Sequence, residues 1–217
     1  MAKMIQVGIS ANIDMRALMP TKMIHKIINE QGKLSMKGII FTEFLEMVEE
    51  KFSPEVADKI IEASETVTGG AYTSVGTYHH SELIEMVGHL SEESGIEVVP
   101  LVKVFGEHLF GRFVDLYPEF FEGVDSCFQF LELIENHVHV EVQKLYPDAE
   151  LPTFGTEQPE PNKLEMTYQS MRPLAPVAEG LIRGCIAHYQ EDITLTVEDL
   201  SGGDNTRARF TLEKLAA

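Results

Sequence analysis

The stretch SCFQFLELIENHVHVEVQKLYP, residues 126–147, holds two histidines, His137 and His139, whose possible roles depend on its secondary structure. In a strand, residues two apart share a face, and the pair would resemble half of a zinc site. The apolar residues instead recur at steps of three and four, as they do in a helix. These residues are Phe128, Leu131, Ile134, Val138, Val142 and Leu145. Asp125 or Ser126 can cap this helix and Pro147 can end it. In a helix, two residues of separation turn His137 and His139 about 160° apart, so they cannot bind one ion together.

His139 lies at the edge of the apolar stripe on this predicted helix, near Phe128 and Tyr146, whereas His137 points toward solvent. A single histidine beside an apolar face is typical of a partly buried core residue. The same setting suits a haem ligand, which needs an imidazole on a rigid helix facing an apolar cavity. The helical pattern by itself leaves both interpretations open.

The chain before this stretch is predicted to be mostly helical from residue 36 onward. Helical spacing occurs in FTEFLEMVEEKF, SELIEMVGHLSEE and EVVPLVKVFGEHLF, and another helix begins at Ser53 and Pro54, a cap followed by a proline in the first turn. Between them, TGGAYTSVGTY is rich in glycine and β-branched residues, which indicates a loop or a short irregular strand.

After Pro147 the pattern changes. Residues 148–162 contain three prolines and no periodicity, and they are interpreted as a connector between two subdomains. Residues 164–170 alternate as a strand does, VAEGLIRGCIAHYQ is a predicted helix, and ITLTV and TRARFTL are strands joined by SGGDN, a hairpin signal. A helical part over 36–147 followed by a mixed part over 163–217 predicts an α+β fold.

Composition and charge limit the classes of function. The 217 residues suffice for one domain with two subdomains and a cofactor-sized cavity. Two cysteines are too few for a disulfide framework, and no apolar run has the length of a membrane span or a secretory signal, so we expect a cytoplasmic protein. A net charge of −18 argues against nucleic acid and anionic membranes as partners, because an acidic surface repels phosphates.

The first 35 residues differ from the remainder in charge. They hold five lysines and arginines against two carboxylates, so they carry +3 while the rest carries −21. This change predicts that residues 1–35 form an N-terminal extension outside a domain that spans 36–217.

The segment YQSMR, residues 168–172, combines three hydrogen-bond donors. If the strand continues through it, Tyr168, Ser170 and Arg172 share one face, and Pro173 favours an extended backbone at Arg172. A phenol, a hydroxyl and a guanidinium in a row suit the binding of two carboxylates. The alternative is an ordinary solvated strand face.

Taken together, these features resemble the haem nitric oxide/oxygen binding (H-NOX) domain, the bacterial relative of the haem domain of soluble guanylate cyclase. The resemblance rests on MKGIIF at 36–41, on VHVEVQKLYP with Pro152 thirteen residues after the histidine, and on the Tyr-x-Ser-x-Arg motif. It implies a helical N-terminal subdomain and a C-terminal subdomain with an antiparallel sheet, with haem b between them. It further implies that His139 ligates the iron, that Tyr168, Ser170 and Arg172 hold the propionates, and that Pro152 presses on the porphyrin.

The resemblance also predicts which gas is bound. In oxygen-binding relatives, a tyrosine nine residues after the motif tyrosine donates a hydrogen bond to O2, and here that position is Val177. Two positions that support this tyrosine correspond to Phe44 and Leu109, and with Ile40 they give an apolar distal pocket. We therefore expect a ferrous haem that binds NO and CO, excludes O2 in air, and loses or weakens its bond to His139 when NO binds.

Two other functions are compatible with the sequence. A peroxidase-like haem enzyme would need acid and base residues on the distal side, and none is placed for this; no phosphate loop or nucleophile elbow indicates another enzyme. The other function is that of a helical interaction module, which would have the same fold but bind no haem. The resemblance favours a sensor that regulates a separate partner, such as a histidine kinase or a cyclic-di-GMP enzyme. We expect no zinc site, and the other histidines are interpreted as structural or solvated.

Overall fold

The structure is a computed structural model that describes residues 35–64 and 66–215, so the predicted extension over 1–35 lies outside the described residues except for Ser35. The fold is α+β, as predicted. Its first elements in chain order are β1 (Ser35–Lys37), α1 (Gly38–Lys51), α2 (Pro54–Ala63), β2 (Thr77–His79), α3 (His80–Ser94), α4 (Val98–Leu116) and a 3₁₀ turn (Pro118–Phe121). They are followed by α5 (Cys127–Leu133), a π turn (Ile134–Val138), α6 (His139–Leu145), β3 (Thr153–Glu160), β4 (Lys163–Gln169), α7 (Ala175–Tyr189), β5 (Ile193–Asp199) and β6 (Arg207–Lys214).

The helical part forms where the sequence predicts it. Helix α2 begins at Pro54, and the Ser53 hydroxyl accepts a hydrogen bond from the Val56 amide at 3.3 Å, which satisfies one free donor of the first turn. Strands β1 and β2 pair antiparallel, so the end of TGGAYTSVGTY is a short strand. A first hydrophobic core lies among α1 to α4; its fully buried members include Phe41, Phe44, Met47, Met86 and Leu90.

The second core lies between a four-stranded antiparallel sheet and the helices α5 and α7. The strand order is β3-β4-β6-β5, and the predicted hairpin is confirmed as β5 and β6. In β4 the buried residues Leu164, Met166 and Tyr168 alternate with more exposed ones, which is the pattern that predicts a strand with one buried face.

The interpretation of 148–162 as a connector was wrong in part, because Thr153–Glu160 forms the edge strand β3. Its pairing with β4 is irregular between Glu157 and Glu160. An edge strand tolerates Pro159 and carries little apolar alternation, since most of its residues face solvent. For this reason the sequence lacks a strand signal there.

Helices α4 and α7 approach each other closely and join the two parts of the domain. Gly106 of α4 and Gly180 of α7 face each other, and a Cβ atom on either would overlap the backbone of the opposite helix. Glu179 is buried next to this crossing, where it pairs with Lys103 of α4 at 2.9 Å. Leu181 packs against both cores.

The stretch 126–147 is helical, as predicted, but a π turn interrupts it. The amide of His139 donates to the carbonyl of Ile134, five residues earlier. A π turn holds about one residue more than an α turn, so the residues after it are rotated by roughly 100° relative to a continuous helix. His137 is exposed as expected, and Leu145, predicted in the apolar stripe, is 58% exposed although it lines the apolar cavity beside this helix.

Among the described residues, no helix combines the length and the apolar character that a membrane span would need.

Candidate functional site

An apolar cavity of about 300 Å³ lies among β1, α1, α4, α6, α7 and the start of the sheet. It brings together eight of the nine residues singled out in the sequence: Ile40, Leu109, His139, Pro152, Tyr168, Ser170, Arg172 and Val177. The ninth, Phe44, is buried behind the wall, with its ring edge-on to that of Phe105 at 5.4 Å between centroids. Phe105 lines the cavity and Phe44 does not.

His139 is the first residue after the π turn and is mostly buried at the cavity wall. Burial lowers the pKa of His139, and the nearby Glu135 carboxylate only partly opposes this effect. The imidazole is therefore neutral at neutral pH. A neutral imidazole carries one N–H and one lone pair, and the lone pair is what a metal ion requires.

Glu135 determines which nitrogen of His139 carries the proton. Its Oε2 lies 3.3 Å from His139 Nδ1 and also accepts a hydrogen bond from the Phe154 amide at 2.9 Å. A carboxylate only accepts, so Nδ1 is the protonated nitrogen and Nε2 has the free lone pair. Sequence analysis missed Glu135, although a carboxylate four residues before a histidine on a helix is a visible signal.

Tyr168, Ser170 and Arg172 meet at the cavity, but a continuous strand does not hold them. Strand β4 ends at Gln169, and the chain then bends so that Ser170 Oγ accepts from the Arg172 amide at 3.1 Å. The expectation of a shared strand face was therefore wrong. Residues with hydroxyl side chains commonly form such local turns, and this turn directs Arg172 to the cavity rim.

Arg172 is buried and holds three segments of the rim together. Its Nη1 donates to the Glu150 carbonyl at 2.9 Å, and its Nη2 donates to the Ser35 carbonyl at 2.7 Å and to Glu150 Oε2 at 2.9 Å. Its Nε is buried without a hydrogen-bond partner among the described residues. An unsatisfied guanidinium donor at a cavity indicates a site for an anionic oxygen, because leaving it unpaired is unfavourable.

A second cation, Lys37 of β1, also lines the cavity and was not identified from the sequence. Its Nζ lies 2.7 Å from Asp148 Oδ1 and donates to Thr77 Oγ1 at 2.9 Å. Asp148 and Thr77 belong to the same wall.

The wall formed by α1, α4 and α7 is apolar, with Ile40, Leu109, Phe113, Val177 and Leu181 facing the cavity. Two phenols, those of Tyr117 and Tyr146, lie elsewhere on the lining and were not predicted as site residues. Burial is the largest cause that raises the pKa of Tyr117 to about 12, so this phenol stays protonated at neutral pH.

The groups at this cavity fit a flat apolar ring that carries a metal ion and carboxylates at one edge. The apolar walls suit the ring, Nε2 of His139 suits the metal, and the cationic rim with its unpaired Arg172 donor suits the carboxylates. Haem has these parts.

Comparison with known proteins agrees with this fit. A sequence model for the family described as haem-NO-binding matches residues 37–197. The Fe(II) unliganded H-NOX protein of K. algicida is 40% identical, with a TM-score of 0.79 over 84% of this chain and 98% of that one. The H-NOX of Shewanella woodyi, solved in the Fe(II)CO state, is 38% identical, with a TM-score of 0.72 over 83% and 95% of the two chains.

The H-NOX protein of S. oneidensis in the Fe(II)NO state is 26% identical, with a TM-score of 0.77 over 83% of this chain and all of that one. A search of curated proteins found no match.

Proposed function

Because this chain belongs to the haem-NO-binding, or H-NOX, family, and is thus a haem-binding, gas-sensing domain, we propose that it senses nitric oxide at a ferrous haem ligated by His139. One observation carries the proposal. A single apolar cavity has a neutral histidine on its wall and an arginine with an unpaired donor on its rim.

Each residue of the site has a distinct role in this proposal. His139 Nε2 ligates the iron, and Glu135 keeps Nδ1 protonated so that Nε2 stays available. Arg172, with Tyr168 and Ser170, binds a propionate through charge-assisted hydrogen bonds. Pro152 lines the cavity just before β3, where it would contact the ring of a bound haem. Ferrous haem supplies the position at which a diatomic gas binds.

The apolar wall supports selectivity for NO over O2. Bound O2 gains from a hydrogen-bond donor beside it, whereas NO needs none. Val177, Leu109 and Ile40 of this wall carry no hydrogen-bond donor in their side chains. We therefore infer that the protein binds NO and CO and excludes O2 in air.

The position of His139 suggests how binding is transmitted. His139 is the first residue of α6, and Glu135 joins its ring to the backbone of β3 at Phe154. Weakening or loss of the bond between His139 and iron would free α6 and this link to the sheet. The protein would then have two states for a separate partner to distinguish, such as a histidine kinase or a cyclic-di-GMP enzyme.

We propose haem b, held without covalent bonds. Covalent attachment uses a Cys-x-x-Cys-His sequence, whereas Cys127 and Cys185 are far apart in the chain and both lie fully buried in the second core. Neither lines the cavity.

The absorption spectrum of haem-loaded protein tests the proposed function. The wild type should show a ferrous Soret band that shifts with NO and with CO. His139→Ala should lose the endogenous axial ligand and regain a ligated spectrum with added imidazole. His137→Ala, two residues away on an exposed position, is the matched control and should keep the wild-type spectrum. A His139→Ala protein with an unaltered ferrous spectrum in the absence of imidazole would contradict the assignment.

A further inference from the structure

Among the described residues, the cavity rim carries two cations, Lys37 and Arg172, and of these Arg172 belongs to the Tyr-x-Ser-x-Arg motif. Arg172 pairs with Glu150 at 2.9 Å, and Lys37 pairs with Asp148 at 2.7 Å. The two carboxylates lie two residues apart in the segment between α6 and β3. At two places along the same rim, therefore, a cation is paired with a carboxylate from this segment.

All four residues line the cavity, but in each pair the cation is buried and the carboxylate is more exposed. The side chains of Lys37 and Arg172 are 13% and 7% exposed, whereas those of Asp148 and Glu150 are 63% and 37% exposed. Moving an exposed carboxylate fully into water has a small energetic effect, but a buried cation must keep an anionic partner. Another carboxylate can thus replace Asp148 on Lys37 without leaving a buried charge unpaired.

Strand β1 places the two cationic positions side by side. Its residue Ser35 accepts from Arg172 through its carbonyl, and its residue Lys37 is the second cation. Residues two apart in a strand are separated by about 7 Å. One short strand therefore brings both anchoring points to the same edge of the cavity, where a ligand with two neighbouring carboxylates can reach both.

We propose that Lys37, assisted by Thr77, anchors the second propionate of haem, and that Asp148 competes with this propionate for Lys37. The inference rests on the proposed haem binding. The Tyr-x-Ser-x-Arg motif, to which the family resemblance assigns both propionates, then holds one of them at Arg172, and Lys37 holds the other.

The alternative is that the ion pair merely attaches the segment after α6 to β1. The two explanations predict opposite effects for Asp148→Asn. If Lys37 only serves the ion pair, Lys37→Met and Asp148→Asn both break it and should speed haem loss alike. If Lys37 holds a propionate, Asp148→Asn removes a competitor and should slow haem loss or leave it unchanged.

The test follows the transfer of haem from the full-length loaded protein to excess apomyoglobin, by the change in Soret absorbance. We expect Lys37→Met to speed haem loss about tenfold, since it removes a charge-assisted bond, and Lys37→Arg to restore most of the retention. Lys144→Met is the matched control, because Lys144 also sits in an ion pair, with Glu141, but does not line the cavity. Circular dichroism checks that each variant is folded.

Haem dimethyl ester, in which both propionates are blocked, isolates the contact. Wild type and Lys37→Met should lose this ester at the same rate if Lys37 acts on a propionate. A rate difference that persists with the ester, or an Asp148→Asn variant as fast as Lys37→Met, would overturn the inference. Haem loss from Lys37→Met at the wild-type rate would also overturn it while leaving the proposed function intact, whereas a wild type that takes up no haem would refute the proposed function itself.

Discussion

At the scale of single residues, Val177 is the side chain on which gas selectivity depends most directly. It projects from α7 into the cavity, where a phenol at the same position could donate to bound O2. A hydrogen bond of this kind contributes about 1.5–3 kcal/mol, or roughly ten- to a hundredfold in affinity. We expect Val177→Tyr to raise the O2 affinity of the ferrous protein by this factor, measured as an oxygenated spectrum in air.

Val177→Phe is the control for this substitution, because it adds the same ring without the hydroxyl. It should fill the same space and leave O2 unbound. Oxygen binding by Val177→Phe that equals that of Val177→Tyr would show that the hydroxyl is not the cause. A stable oxygenated spectrum of the wild type would contradict the selectivity itself.

At the scale of an element, the π turn before α6 fixes the environment of His139. It ends next to the histidine, and its residue Glu135 accepts from His139 Nδ1 and from the amide of Phe154. Glu135→Gln keeps an acceptor but removes the negative charge, so the imidazole should donate less electron density to iron. We expect a weaker iron–histidine bond, seen as a lower stretching frequency in resonance Raman spectra. The reduction potential of the haem should rise by some tens of millivolts, or about 1 kcal/mol.

Glu141→Gln provides the comparison, since Glu141 lies on α6 but pairs with Lys144. It should leave both the stretching frequency and the potential unchanged. Equal shifts in the two variants would indicate a general effect of charge, and an unshifted Glu135→Gln would remove Glu135 from the role assigned to it.

The same element shows how far the sequence leads. Periodicity predicts the helix over 126–147, and the family resemblance selects His139, Tyr168, Ser170 and Arg172, all of which meet at the cavity. Periodicity at 3.6 residues per turn could not reveal the π turn, because one extra residue changes the phase without changing the composition. For that reason the helical spacing placed His139 only at the edge of the apolar stripe, whereas His139 lines the cavity together with Leu145 of that stripe.

Contacts between distant segments also could not be predicted from the sequence. The pairing of Lys37 with Asp148 joins residues more than a hundred positions apart, and no local pattern marks either of them. Phe44 was expected to line the distal pocket, but it is buried behind the cavity wall. Helical spacing shows that a residue is buried but does not show which layer of the core it occupies.

At the scale of the whole molecule, we propose that the haem-binding domain begins at Ser35 rather than Met36. Strand β1 starts there, pairs with β2 and supplies a carbonyl to Arg172, and the family match begins two residues later. A protein that lacks residues 1–34 should bind haem with an unchanged spectrum and an unchanged rate of haem loss. Failure of this truncated protein to fold or to take up haem would show that the first 34 residues are integral to the domain.

The two ion pairs at the cavity rim also bear on the order of folding and haem binding. An uncompensated charge in a buried position destabilises a fold by about 3–5 kcal/mol, but both rim cations have a carboxylate from their own chain. Neither rim cation therefore needs the prosthetic group to avoid an unpaired buried charge. We therefore expect these cations to set no requirement for haem during folding, so that haem can enter a chain whose rim contacts are already formed.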